Sequence, residues 1–221
     1  MAYRHYWTDG ERIDLPVGKA VCAGLNYALH VQEMNSKAPK EEPVLFIKPA
    51  SAMRSLSEPL SIPDDKGSVH HELEIAVLIG HRLCNATDVE AKQAVSGIGL
   101  ALDLTLRDIQ KQLKEAGRPW EKAKAFDGSC PISHFVPMGQ CPPLDRLNIR
   151  LDINGECRQQ GNSRDMLFSI PQLLQAISRY FTLEPGDIVL TGTPAGVGPL
   201  VSGDALKLSL DALLEIETRV L

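Results

Sequence analysis

The amino-acid sequence predicts a β-rich α+β domain. Three observations carry that reading. Short alternating apolar segments separated by Pro/Gly turns outnumber the helical stripes. Only three segments have convincing helical spacing. Those helices do not alternate regularly with strands, as a βαβ parallel sheet would require. With 221 residues there is room for one large domain, read as residues 18–221 behind an N-terminal extension over residues 1–17.

The first helix is short, around Tyr27 to Met34. The second follows Thr105, whose hydroxyl and Asp108 three residues later resemble a capping box. It carries Ile109, Leu113 and Ala116 on one face and stops at Gly117. The third starts near Ser169 with Pro171 in its first turn, where a missing N–H costs nothing. Leu173, Leu174, Ile177 and Tyr180 form its stripe. Among the strands, Leu147 to Ile153 alternates into Asn154-Gly155 and resumes at Glu156, the signature of a type I′ hairpin. The Glu184-Pro185-Gly186-Asp187 turn leads into Ile188-Val189-Leu190. Leu206 to Leu210 and Leu213 to Val220 close the chain.

Composition sets outer limits. Hydrophobic residues make up 43% and charged residues 23%, which fits a water-soluble protein with a sizeable core. A net charge of −5 offers no basic field for phosphates, so nucleic acid is not an expected partner. No stretch reaches the ~20 apolar residues of a membrane span, and the N-terminus has no apolar signal region. The odd, widely spaced cysteines Cys22, Cys84, Cys130, Cys141 and Cys157 suit reduced, buried or half-buried thiols in a cytoplasm.

The most informative stretch is His70-His71-Glu72-Leu73-Glu74-Ile75-Ala76-Val77-Leu78-Ile79. Read as a strand, it puts Leu73, Ile75, Val77 and Ile79 on one face and Glu72, Glu74 and Ala76 on the other. Two like charges ~4 Å apart at an effective dielectric of ~20 repel by about 4 kcal/mol. A cation would turn that cost into attraction. A solvated strand face is the plainer alternative. Within Gly97 to Thr105, Asp103 shares a face with Gly99, Ala101 and Thr105. A carboxylate there needs compensation, either as a structural acid capping the next helix or as a third metal ligand. Three oxygen donors without cysteine suit Mg²⁺ or Mn²⁺. Zinc on His70 and His71 is disfavoured, because neighbours on a strand point to opposite faces.

His30 and Glu33 share a helix face, where a carboxylate can orient an imidazole base, although such pairs also occur on solvated helices. Lys124 stands alone, as solvent-facing lysines do. Thr191-Gly192-Thr193-Pro194-Ala195-Gly196-Val197-Gly198-Pro199 follows an apolar strand and offers N–H groups to a small anion, unless it is only a turn. It lacks a P-loop pattern, so nucleotides are disfavoured.

Taken in order, Gly24-Leu25-Asn26-Tyr27, His30-Val31-Gln32-Glu33, Pro43 to Pro49, His71-Glu72-Leu73-Glu74, Asp103 with Arg107-Asp108, Lys124 ahead of Ser129-Cys130-Pro131, and Thr191-Gly192-Thr193-Pro194 resemble the fumarylacetoacetate hydrolase family, particularly its short members. The resemblance implies a mixed β-sandwich roll of the fumarylacetoacetase C-terminal-domain type and a homodimer. It implies Glu72, Glu74 and Asp103 as ligands of Mg²⁺ or Mn²⁺, and His30 with Glu33 as a proton-moving dyad. It gives Lys124 to a developing oxyanion, and Arg107, Gln110 and Thr193 to the substrate. The implied chemistry passes through the enolate of a small 2-oxo or 2,4-dioxo acid: oxaloacetate tautomerisation, acylpyruvate hydrolysis or oxaloacetate decarboxylation. A catalytically silent metal- or ligand-binding protein on the same fold is the reading from another class. Determinants of the substrate tail are expected in Asn35 to Glu42 or after Gly117.

Overall fold

A computed structural model describes residues 3–221. Its centre is an eight-stranded mixed sheet. From one edge the strands run Val44–Lys48, Ala20–Gly24, Ile188–Leu190, Leu73–Ile79, Val95–Leu102, Cys130–Ile132 and Met53–Ser55, with Val136–Pro137 also paired to Val95–Leu102. Only the pairs Ala20–Gly24 with Ile188–Leu190 and Met53–Ser55 with Cys130–Ile132 are parallel. A second, antiparallel sheet has the order Glu156–Asn162, Asn148–Ile153, Ala205–Leu210, Leu214–Arg219. The predicted β-rich α+β class is the observed one.

Both faces of the central sheet are covered. Leu73, Ile75, Val77 and Ile79 share a core with Ile149, Leu151, Leu206, Leu208 and Leu210 of the antiparallel sheet and with Leu173, Leu174 and Ile177 of the longest helix, Ile170–Tyr180. Ala76 and Leu78 look the other way, into a smaller core with Ile13, Met53, Ile132 and Phe135. The segment before residue 18 closes this side: Trp7 bridges to Phe135, and Leu15 and Val17 pack on the cluster. The Glu72–Glu74–Ala76 face is therefore buried, which removes the solvated-face reading.

Local chemistry explains most boundaries. Asn154 and Gly155 both hold positive φ, as a type I′ turn demands, and Ile153 pairs with Glu156. The Ser169 amide and hydroxyl both donate to Gln172 Oε1 and start the long helix. Two short helices, Asp88–Gln93 and Glu121–Lys124, escape the sequence reading, each being too brief for a periodic stripe.

Three expectations need correcting. The Thr105–Asp108 capping box does not form. Thr105 and Leu106 are drawn into a short strand against Val69–His71, so the helix begins at Arg107; the Thr105 hydroxyl donates to Asp103 O, and Asp108 accepts from the Ser68 amide. In that helix Gln110 is buried, while Ile109 and Leu113 are only half-buried and Ala116 is exposed. Tyr180 is exposed, because its hydroxyl reaches out to Glu42 at 2.7 Å instead of joining the stripe. Of the cysteines, all free, Cys84 and Cys157 are exposed rather than half-buried.

Leu208 is fully buried where the antiparallel sheet meets the central one. Leu208→Ala should lower the unfolding free energy by about 2–5 kcal/mol through lost transfer energy and a residual cavity. The check is urea denaturation: the midpoint should fall with the m-value unchanged.

Candidate active site

Two adjacent antiparallel strands build the centre. Leu73 pairs with Leu102 and Glu74 with Ala101, and one step beyond the ladder the Asp103 amide donates to Glu72 O at 2.8 Å. Asp103 thus lies across from Glu72, at the distance of directly opposed strand residues. Ala101 is the small residue opposite Glu74, whereas the space at Gly99 is taken by Ser133 and Phe135. The expected single strand from His70 is broken: Val69–His71 belongs to a small three-stranded sheet and Leu73–Ile79 to the central one, with Glu72 at the junction.

All three carboxylates are buried, and one oxygen from each lies within 4.8 Å of the others. Their compensation is unequal. Glu72 receives Arg107 Nη2 at 2.5 Å and Lys124 Nζ at 2.7 Å. Burial alone would raise its carboxyl, but Lys124 and then Arg107 outweigh it and hold it well below the usual carboxylate range. Asp103 receives Lys124 on Oδ2 at 2.6 Å. Lys48 Nζ pairs with Asp103 Oδ1 at 2.8 Å, while its three N–H groups point more nearly at the carbonyls of Leu104, Lys124 and Ser129, with Ser129 Oγ also in reach. Asp103 Oδ1 consequently accepts no hydrogen bond among the described residues. Glu74 has the Gly192 amide at 2.6 Å on Oε2. Burial first, then the charges of Asp103 and Glu72, push its carboxyl well above the ordinary value.

This arrangement fits a hard divalent ion. A buried Asp oxygen is left without a directed donor, and Glu74 is a carboxylate whose charge its surroundings resist. Its donors are all oxygen. The histidines join no metal group: His71 is held by Gln159 at 2.9 Å, and the group of three described residues suited to an ion contains neither His70 nor His71.

The other predicted residues surround this centre. His30, Glu72, Glu74, Asp103, Arg107, Gln110, Lys124 and Thr193 all line one cleft, and Glu33 stands behind His30 with Oε2 3.0 Å from Nδ1. Lys124 is buried rather than solvent-facing; burial works against its ammonium, but Asp103 and Glu72 prevail and raise its pKa. It also lies 5.1 Å from the Phe46 ring centroid. Arg107 spends its ends on Glu72 and, at 2.6 Å, on Gln110 Oε1. The Thr191–Pro199 loop does present amides to anions, but to the protein's own: Gly192 N–H to Glu74 and Gly196 N–H to Glu33 Oε1 at 3.0 Å. At Gly192, with φ +95°, a Cβ would sit 2.7 Å from Asn26 Cβ.

Residues the sequence reading assigned no role also matter here. Lys48 ends an apolar strand and is fully buried; a lysine closing Val44-Leu45-Phe46-Ile47 was a usable signal. Phe46, Trp120, Met34 and Lys114 line the cleft mouth, and Lys114 Nζ is 6.0 Å from the Trp120 ring centroid. Asn26 ties the loop down, donating to Thr191 O at 2.8 Å.

Residues 19–221 match the model of the fumarylacetoacetate hydrolase C-terminal family. The chain belongs to that family. It is 53% identical over 220 residues to oxaloacetate tautomerase of Escherichia coli, covering 99% of this chain and 100% of that one. It is 43% identical over 215 residues to the mitochondrial oxaloacetate tautomerase of Bos taurus, covering 97% of this chain and 94% of the relative. Among solved structures, fumarylpyruvate hydrolase from Pseudomonas aeruginosa in complex with Mn²⁺ and pyruvate superposes with a TM-score of 0.93 at 35% identity, over 100% of this chain and 96% of that one. Among the described residues no helix is long and apolar enough to cross a membrane.

The charge imbalance has a measurable consequence. Because the Glu74 carboxyl is raised on folding, the folded metal-free protein holds a proton that the unfolded chain releases above its ordinary value of 4.5. This group therefore removes stability as pH rises above that value. Glu72, shifted downward, contributes stability that is lost only below it. Denaturant unfolding of metal-free protein from acid to neutral pH should show the first slope, and Glu74→Gln should flatten it and be the more stable protein at neutral pH. Mn²⁺ at 100-fold excess over its Kd should stabilise the wild type by about 2.7 kcal/mol and the variant far less.

Proposed function

We propose that this protein is a Mg²⁺- or Mn²⁺-dependent enzyme of small 2-oxo and 2,4-dioxo acids, acting first as an oxaloacetate keto–enol tautomerase and also as an acylpyruvate hydrolase. One observation carries the reading: three buried carboxylates converge within 4.8 Å in the cleft that also holds an imidazole backed by a carboxylate. The names of the two curated relatives and the pyruvate and Mn²⁺ bound by the Pseudomonas hydrolase support it.

Glu72, Glu74 and Asp103 would hold the ion, which when bound polarises the 2-oxo carbonyl as a Lewis acid. The remaining work falls to side chains. Glu33 accepts from His30 Nδ1, fixing the tautomer so that Nε2 is the free base facing the cleft. In tautomerisation, Nε2 takes or returns a proton at the substrate's C3. In hydrolysis, the same atom takes a proton from water attacking the 4-acyl carbon, the C3–C4 bond breaks to release the carboxylic acid, and that proton is returned to C3 to complete pyruvate. Lys124, held by Glu72 and Asp103, keeps a fixed positive charge beside the carbonyl oxygen on which negative charge develops. Gln110, Arg107 and Thr193 would orient the substrate carboxylate. Phe46 and Trp120 add apolar surface to the cleft lining. Loss of carbon dioxide from oxaloacetate uses the same electron sink and is a side reaction of this site. A homodimer in the cytoplasm completes the proposal; five unpaired thiols support the compartment, and sedimentation tests the assembly.

Absorbance of enol-oxaloacetate and of acetylpyruvate should decay faster with enzyme and Mg²⁺ or Mn²⁺ than with enzyme and EDTA. No metal-dependent change in either signal would establish the silent binder instead. His30→Ala should lower acylpyruvate hydrolysis by about 10²–10⁴ and tautomerisation less, since water must be activated in one reaction and only a proton moved in the other. Equal losses in kcat/KM would refute that division.

A further inference from the structure

Gln159 lies outside the cleft lining, yet its side chain is almost fully buried between the two sheets. It comes from the edge strand Glu156–Asn162, otherwise exposed through its first half. A bulge aims it inward: Leu151 pairs with Gln159 and Asp152 with Cys157, leaving Arg158 unpaired between them. The Arg158 carbonyl is pushed against the glycine loop, where a Cβ on Gly196 would sit 2.0 Å from it.

The amide of Gln159 has no freedom of orientation. The Leu73 amide, which can only donate, lies 2.9 Å from Oε1. That oxygen must face the start of the Leu73–Ile79 strand, beside Glu72, and the opposite flip would set two donors together. His71 Nδ1, 2.9 Å from the same oxygen, must then carry its proton. The two N–H bonds of Nε2 are also spoken for: one goes to Pro194 O at 2.9 Å, which can only accept, and the other to Thr193 Oγ1 at 2.7 Å. Thr193 Oγ1 is thereby fixed as an acceptor toward Gln159. Its own proton remains. Within the protein it has only a long contact, 3.4 Å to Pro194 O, a carbonyl that also accepts the shorter bond from Gln159, so a closer acceptor in the cleft would draw it outward. Thr193 is buried and lines the cleft.

We propose that Gln159 is a positioning residue that locks the Thr193 hydroxyl as a hydrogen-bond donor toward the carboxylate of a bound 2-oxo acid. It also sets the register between the glycine loop and the Leu73–Ile79 strand, which bears Glu74 and starts directly after Glu72. The inference rests on the substrate class proposed above. The same loop meets Glu74 through Gly192 and Glu33 through Gly196, so three braces hold it against the chemistry, and Gln159 is the one that sets a donor's direction.

The test compares wild type, Gln159→Leu, Gln159→Glu, Thr193→Val and the Gln159→Glu/Thr193→Val double variant. Gln159→Glu keeps the shape and the Oε1 acceptor but presents an acceptor to Thr193, which would turn its proton inward. Circular dichroism and thermal unfolding establish folding, steady-state kinetics give kcat and KM for oxaloacetate, and calorimetry with Mn²⁺ present gives the Kd of pyruvate. We expect Gln159→Glu to raise KM and the pyruvate Kd about tenfold, with kcat changed less than threefold, and the double variant to be no worse than Thr193→Val. If Gln159→Leu does not fold, Gln159→Glu decides. A folded Gln159→Glu protein with unchanged KM and Kd, or losses that multiply in the double variant, would overturn the proposal. A wild type that binds pyruvate without turning over oxaloacetate would reject the reaction assigned above, and the positioning role would stand or fall on the pyruvate Kd. A wild type that binds no 2-oxo acid overturns both.

Discussion

The structure is organised around the cost of holding three carboxylates together away from water. At an effective dielectric of ~20, each like-charged pair at ~4 Å costs about 4 kcal/mol, which is comparable with the net stability of a domain. Everything near Glu72, Glu74 and Asp103 addresses that cost. Arg107 and Lys124 neutralise Glu72, Lys124 and Lys48 stand beside Asp103, and Gly192 lends Glu74 an amide. The cations come from separate parts of the chain, so the centre also fixes how the Val44–Lys48 strand, the Arg107–Glu115 helix and the Glu121–Lys124 turn of helix sit around the central sheet. Glu74 is left as the least compensated member, and that incompleteness is what a divalent ion at the proposed site would relieve.

The backbone makes the cluster possible before any side chain does. Antiparallel pairing sets Asp103 against Glu72, and period-two alternation brings Glu74 to the same face. Ala101, small and opposite Glu74, keeps bulk away from the cluster. The segment before residue 18 and the Cys130–Ile132 strand then cover the face, so the carboxylates meet the cleft rather than bulk water. A low local dielectric strengthens every charge interaction that a substrate would make there. The burial that is costly for three carboxylates is what would give Lys124 and His30, in the proposed roles, leverage on a reacting molecule.

Much of this was legible in the sequence, for identifiable reasons. Alternation exposed the Glu72–Glu74 pair, and a lone acid among small residues exposed Asp103. The Asn154-Gly155 turn and the Ser169–Pro171 helix start depend on neighbours in the chain, and local chemistry specifies them. What stayed hidden depends on residues distant in sequence. The burial of Lys48 and of Gln159 is set by partners 56 and 86 positions away, Leu104 and Leu73. Thr105 and Asp108 had the chemistry of a capping box, but a strand pairing with Val69–His71 claimed the backbone first. Tertiary pairing overrode a local preference worth about 1 kcal/mol.

The glycine loop shows how a partly correct reading can point to a deeper arrangement. Its composition suggested amides waiting for an external anion. In the fold, two of those amides serve Glu74 and Glu33, one a candidate metal ligand and the other the orienter of His30. A single loop therefore touches both halves of the proposed chemistry, the electrophilic centre and the base. Because Gly192 and Gly196 both occupy left-handed backbone with no space for a Cβ, the loop has little freedom to adjust one contact without the other. Displacing it by the width of a methyl group would lengthen the Glu74 and Glu33 contacts together. Base and acidic centre are thus geometrically linked through one short loop of backbone, and a proton-transfer site that must hold C3 of a small acid within hydrogen-bond reach of His30 while its carbonyl faces the carboxylates requires that kind of linkage.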